Sequence, residues 1–159
     1  MNIVTIEEIQ AAYYMVAATG VLVAAAYYVL NIRTNVENRK AQHLMEFNRI
    51  MNSKEWLIDL HESMNYEWKD WPDFWAKYGH PNPEAHSRWI FILNSFGNMF
   101  SLLNRRLVDE EMVREYLGPV SFMPFWEKFA PCIREMRVLL NDPAMCEGME
   151  LYYSKWKKS

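Results

Sequence analysis

The sequence predicts an all-α protein: one N-terminal transmembrane helix followed by a cytoplasmic helical bundle. Three observations carry this reading. Residues 11–30, AAYYMVAATGVLVAAAYYVL, contain no charge. Beyond them, apolar residues recur every three or four positions, the spacing of a helix with one buried face. The chain has only five glycines, and β-branched runs are few outside the apolar segment, which argues against a sheet protein. The expected division is residues 1–32, an N-terminal flank and anchor, and residues 33–159, a cytoplasmic all-helical domain.

The apolar run comes first. As a helix it is about 30 Å long, which matches the hydrocarbon core of a bilayer. Tyr13, Tyr14, Tyr27 and Tyr28 bracket it, where amphipathic rings favour the headgroup levels. A secretory signal would begin with basic residues, and positions 1–10 carry Glu7 and Glu8 but no Lys or Arg. Arg33, Arg39 and Lys40 follow the run. Basic flanks stay on the cytoplasmic side, so the N-terminus is expected outside and residues 33–159 inside an inner (plasma) membrane. Cys132 and Cys146 then face a reducing compartment and are expected to be free thiols. Gly20 and Ala24, in a run rich in alanine, are candidate contacts with another transmembrane helix, because small residues let backbones approach.

Residues 34–52 continue the helical pattern through Val36, Leu44, Phe47, Ile50 and Met51, and no Pro or Gly separates them from the apolar run, so one continuous helix over about 6–52 is expected. Ser53 caps a second helix to about Asn65 with Trp56, Leu57, Leu60 and Met64 on its apolar face. The densest aromatic stretch follows, YEWKDWPDFWAKYGHPNPE. Trp71, Phe74, Trp75 and Tyr78 share a face of a short helix that has Pro72 near its start. Trp68 lies before that helix, so Trp68 is expected to be the more exposed and Trp75 the more buried. The face either packs on the long helix that follows, or Trp68, Trp71, Phe74 and Trp75 are partner-docking residues, since aromatic side chains are favoured both in protein interfaces and at headgroups.

Asn82-Pro83 opens a long helix over roughly 83–106, with Trp89, Ile90, Leu93, Phe96, Phe100 and Leu103 facing the core. Asp109 caps the next, and Glu110 and Glu111 sit where the helix dipole favours negative charge. Leu117-Gly118-Pro119 reads as its stop. A helix over about 121–141 carries Phe122, Phe125, Trp126, Phe129, Ile133, Met136 and Leu140, with Pro124 and Pro131 bounding or kinking it. Asp142-Pro143 opens the last helix.

Composition bounds the function. The net charge is −3, and without Glu7 and Glu8 the remainder is near neutral, so no basic field suits nucleic acid. Aromatic residues make up 15% of the chain, which argues against disorder. Residues 33–159 suffice for one hydrophobic core. The four histidines are His43, His61, His80 and His86. No paired Glu-x-x-His or HExxH pattern is present, and His80 and His86, flanking HPNPEAH, read as surface or capping residues in preference to a metal pair. No histidine lies in the apolar run to ligate haem. Nucleophile elbows and phosphate-binding glycine loops are missing from the sequence. No catalytic, metal or cofactor residues and no small-molecule substrate are assigned.

Three stretches carry a family resemblance: FILNSFGNMFSLLNRRLVDEEMVREYLG, FWEKFAPCIREMR and NDPAMCEGMELYY. Their order and spacing, through Leu93-Asn94-Ser95-Phe96, Arg106-Leu107-Val108-Asp109-Glu110-Glu111, and Trp126-Glu127-Lys128 to Pro131 and Arg137, resemble the bacterial and archaeal domain-of-unknown-function 4760 family. The resemblance covers residues 90–156 and leaves the aromatic segment 66–78 outside its pattern. It implies a single membrane helix with a cytoplasmic helical domain and no established activity.

The expected function is therefore a non-catalytic, single-pass accessory or scaffolding subunit of a larger membrane complex. Its partners would be integral membrane proteins, as a hetero-oligomer or a homo-oligomer, together with the lipid bilayer. Such partners would also order the chain ends at Met1 and Ser159. The alternatives are a membrane-tethered signalling or stress-response adaptor and, third, an enzyme with an unrecognised site.

Overall fold

A computed structural model describes residues 5–158; the expectation about Met1 and Ser159 lies outside them. Seven α-helices account for most of this span, with no strand among the described residues. α1 (Ile6–Met51) contains the whole apolar run. Contacts group the chain into two units that divide after Arg39, within this helix.

In the N-terminal unit, Thr5 and Glu8 form a reciprocal cap. The Thr5 N–H donates to Glu8 Oε2 at 2.8 Å and the Glu8 N–H to Thr5 Oγ1 at 3.3 Å. Every side chain from Thr5 to Arg39 is exposed. The helix is long and apolar enough to cross a membrane, and none of its most apolar eighteen residues is buried. Two threonine hydroxyls bond back to the helix: Thr19 Oγ1 donates to the Met15 carbonyl at 2.8 Å and Thr34 Oγ1 to Leu30 at 3.0 Å.

The second unit begins with the last turns of α1, where Leu44, Phe47, Ile50 and Met51 pack into the core. α2 (Lys54–Met64) starts at Ser53, whose hydroxyl accepts from the Trp56 N–H at 3.2 Å. Trp56 is buried, but Leu57 of the expected apolar face is half-exposed at 50%. α3 (Trp71–Tyr78) is capped by Asp70, and α4 (Pro83–Asn104) by Asn82. α4 is the central helix. It packs against α2, α3 and the last helix, α7 (Glu147–Trp156), and buries Trp89, Ile92, Leu93, Phe96, Met99, Phe100 and Leu103. Between α2 and α4, Arg88 meets Asp59 at 3.8 Å, Glu84 at 2.6 Å and also Glu62.

α4 closes in a Schellman motif. The Leu107 N–H donates to the Leu102 carbonyl at 3.0 Å and the Arg106 N–H to Leu103 at 2.9 Å. Arg106 takes φ 58°, where glycine is usual. α5 (Glu110–Leu117) is capped by Asp109, which accepts from the Met112 N–H at 3.1 Å.

The expected stop at Leu117-Gly118-Pro119 does not interrupt the helical path. The chain runs through a π turn, Gly118–Phe122, into α6 (Met123–Leu139). Proline removes one N–H and its ring presses on the preceding turn. The wider π turn accommodates that change of hydrogen-bond pattern without a loop. Pro131 likewise lies within α6, between buried Ala130 and Cys132. The last helix begins later than Asp142-Pro143 suggested. Asp142 instead caps a turn by accepting from the Ala144 N–H at 3.1 Å, and α7 spans Glu147–Trp156. Trp156 is buried against Phe100, Phe122 and Tyr152.

Candidate functional site

The aromatic segment is built from a turn outward. After α2, Tyr66 stacks on Tyr78 at 3.9 Å between ring centres, with planes 4° apart. The Tyr66 hydroxyl donates to the Ala85 carbonyl at 3.1 Å, and the Tyr78 hydroxyl accepts from the Glu67 N–H at 3.1 Å. Burial pushes the Tyr66 phenol up from its ordinary value. These contacts fold residues 66–70 back onto α3 and α4.

Phe74 is the centre of the cluster. It is 0% exposed and meets the rings of Trp68, Trp71, Tyr78, Trp89 and Phe129 at 4.9–6.1 Å. It therefore belongs to the core and has no surface for docking, contrary to its place in the expected set.

Trp68 and Trp75 also depart from expectation. Both are half-buried, but Trp68 packs against the core, with ring contacts to Phe74, Phe129 and Tyr78. Lys128 of α6 lies 5.2 Å over its ring and donates from Nζ to the Met64 carbonyl at 2.7 Å. Burial lowers the Lys128 ammonium from its usual value. Trp75 instead meets Trp71 at 5.2 Å, His80 at 5.2 Å and His86 at 5.8 Å. A shared helical face put Trp75 inward in the sequence reading. In the fold the buried direction is centred on Phe74, which leaves Trp71 and Trp75 on its shoulder.

Sequence reasoning assigned His80 and His86 surface or capping roles and did not show that their rings meet. His80 in the turn after α3 and His86 in the first turns of α4 bring their rings to 4.6 Å, 31° between planes. Trp89 meets the His86 ring edge-on at 5.7 Å and donates from its indole to the Tyr78 carbonyl at 2.8 Å. Burial, then the neighbouring His80, lowers the His86 pKa from its usual value. The two prolines of HPNPEAH, which stiffen the intervening turn, were the available signal.

On the first unit, Tyr13, Tyr14, Tyr27, Tyr28 and Arg33 are all exposed along α1. Gly20 and Ala24 are exposed too, and a Cβ added at Gly20 would meet nothing within 4 Å. Both cysteines are free. Cys132 is buried, and its surroundings push its thiol pKa up to about 12; burial also raises Cys146. Neither has the depressed pKa of a reactive thiol. Among the described residues, no three His, Cys, Asp or Glu side chains gather as a metal group.

Comparison with known families adds one match. The model of a domain of unknown function, DUF4760, matches residues 14–156. The chain belongs to this family. The match takes in the aromatic segment 66–78, which the resemblance by motif had left outside. No curated protein and no solved structure matches the chain.

Proposed function

We propose that this chain is a single-pass membrane subunit that scaffolds a larger membrane complex and catalyses no reaction of its own. One observation carries the reading: an apolar helix whose most apolar eighteen residues are wholly unburied within the chain. Such a surface is stable in lipid or against other apolar helices. In this reading α1 crosses an inner (plasma) membrane. Tyr13 and Tyr14 lie near one headgroup layer, and Tyr27, Tyr28 and Arg33 near the other. The basic flank at Arg33, Arg39 and Lys40 keeps the C-terminal domain in the cytoplasm.

Gly20 and Ala24 offer a close approach to a neighbouring transmembrane helix. The half-buried indoles Trp71 and Trp75 offer the cytoplasmic domain an aromatic edge of the kind enriched in interfaces. Trp68, held beneath Lys128, contributes less. Partners are integral membrane proteins, with a homo-oligomer as the simpler form of the same arrangement.

Purification of the native protein in a mild detergent, followed by quantitative mass spectrometry, tests this. The expected result is a fixed ratio to one or more integral membrane proteins, or to further copies of itself. Recovery of monomer with sub-stoichiometric soluble proteins would instead support a membrane-tethered signalling adaptor and overturn the scaffold.

A further inference from the structure

We infer that His80 and His86 form a two-histidine site for one divalent transition-metal ion of the imidazole-preferring kind, such as Zn(II), Ni(II) or Cu(II). The ring separation admits a chelate. With an imidazole nitrogen about 2.0–2.1 Å from zinc, the metal stands about 3.2 Å from each ring centre. Two such rings set about 90–110° apart at the metal would have centres about 4.5–5.2 Å apart. The observed separation is 4.6 Å.

The connection between the two rings is held by its own hydrogen bonds. The Gly79 N–H donates to the Trp75 carbonyl, the Asn82 N–H to Gly79, and the His86 N–H to Asn82, each at 2.9 Å. Asn82 Oδ1 accepts from the Ala85 N–H at 3.3 Å. Pro81 and Pro83 restrict the same turn. Gly79 fits only as glycine, because an added Cβ would collide with the Trp75 carbonyl and ring. Little ordering therefore remains for a metal to impose. Edge contacts from Trp75 and Trp89 hold the His86 ring.

His80 is exposed and supplies the entry side. No third histidine, cysteine or carboxylate joins the pair among the described residues, so water completes the coordination. The ion would staple the turn after α3 to the start of α4, with exchangeable water in its remaining positions.

The test uses the full chain in detergent with any affinity tag removed. Zn(II) binding is measured by calorimetry, and Cu(II) ligation by electron paramagnetic resonance. The expected results are one Zn(II) per chain and a Cu(II) spectrum with two imidazole nitrogens. His80→Ala, at an exposed position, should reduce this to one nitrogen and weaken Zn(II) binding at least ten-fold. His61→Ala should leave both readouts unchanged. Tryptophan quenching by Cu(II) should fall in Trp75→Phe, whose ring adjoins both histidines. No saturable binding, or Zn(II) affinity unchanged in His80→Ala with circular dichroism showing a folded protein, would overturn the site.

Discussion

Truncating Phe74 should destabilise the C-terminal domain far more than truncating Trp75, although Trp75 is the larger side chain. Phe74 is 0% exposed and is ringed by five aromatic neighbours. Phe→Ala at such a site costs about 3–5 kcal/mol, because the transfer energy is lost and a cavity remains. α3 has eight residues and is too short to persist without its buried anchor. Trp75 is half-buried against Trp71 and two imidazoles, so its truncation should cost about 1 kcal/mol, the usual size for a point substitution. For a domain of this size, about 3–5 °C of melting temperature accompanies each kcal/mol, which places Phe74→Ala about 9–25 °C below the parent. The assay is urea and thermal unfolding of the detergent-solubilised chain by circular dichroism, with Trp75→Ala in parallel. Equal losses, or a larger loss for Trp75→Ala, would refute the division of this segment into core and shoulder.

Three further outcomes are expected. Gly20→Leu should release partners from the purified complex if α1 packs closely there, and should be silent if α1 only tethers, because leucine is favourable in lipid; unchanged co-purification would remove Gly20 from any interface. Acid should weaken the domain through Glu150, whose carboxyl is held below its usual range by hydrogen bonding from Arg137 at 2.7 Å. A depressed native pKa contributes stability above the unfolded value and loses it as pH falls through the native one, so the stability gap between the parent and Glu150→Gln should close on acidification; a gap constant from neutral to acid pH would contradict this. Arg106→Gly should raise urea-measured stability by about 1 kcal/mol by relieving a left-handed non-glycine residue at the end of α4, and a loss would assign Arg106 a side-chain role that outweighs the strain.

The extent to which the sequence was readable follows the range of the interactions involved. Ser53, Asn82 and Asp109 cap helices as expected, because a cap is decided by residues three positions apart. Apolar spacing located most of the faces of α4 and α6 for the same local reason, but Leu140, expected on the α6 face, lies past the helix end and is exposed. The π turn at Gly118–Phe122 was not legible, since Gly-Pro ends most helices and only the packing of Phe122 and Phe125 in one core carries the chain through. Trp68 was placed too far outward because it precedes α3, and no helical face sets its direction. Its partner, Lys128, lies sixty residues along the chain. The meeting of His80 and His86 depends on backbone angles across a proline-rich turn, whereas residue spacing alone suggested only a surface loop.

The burial of Trp156 bears on how the domain comes into being. Its ring touches Phe100 and Phe122, and its indole donates to Glu110 at 3.1 Å beside the Lys155 bond to the same carboxylate at 2.6 Å. The core therefore lacks one wall until residue 156 has been synthesised. During that interval α4 and α6 display an apolar, aromatic surface while the apolar run of α1 has long since been made. Domains fold as units, and exposed apolar intermediates are prone to aggregate. The domain is therefore open to misassembly until its last helix is complete, so the order of synthesis, and not the finished packing alone, bears on its yield.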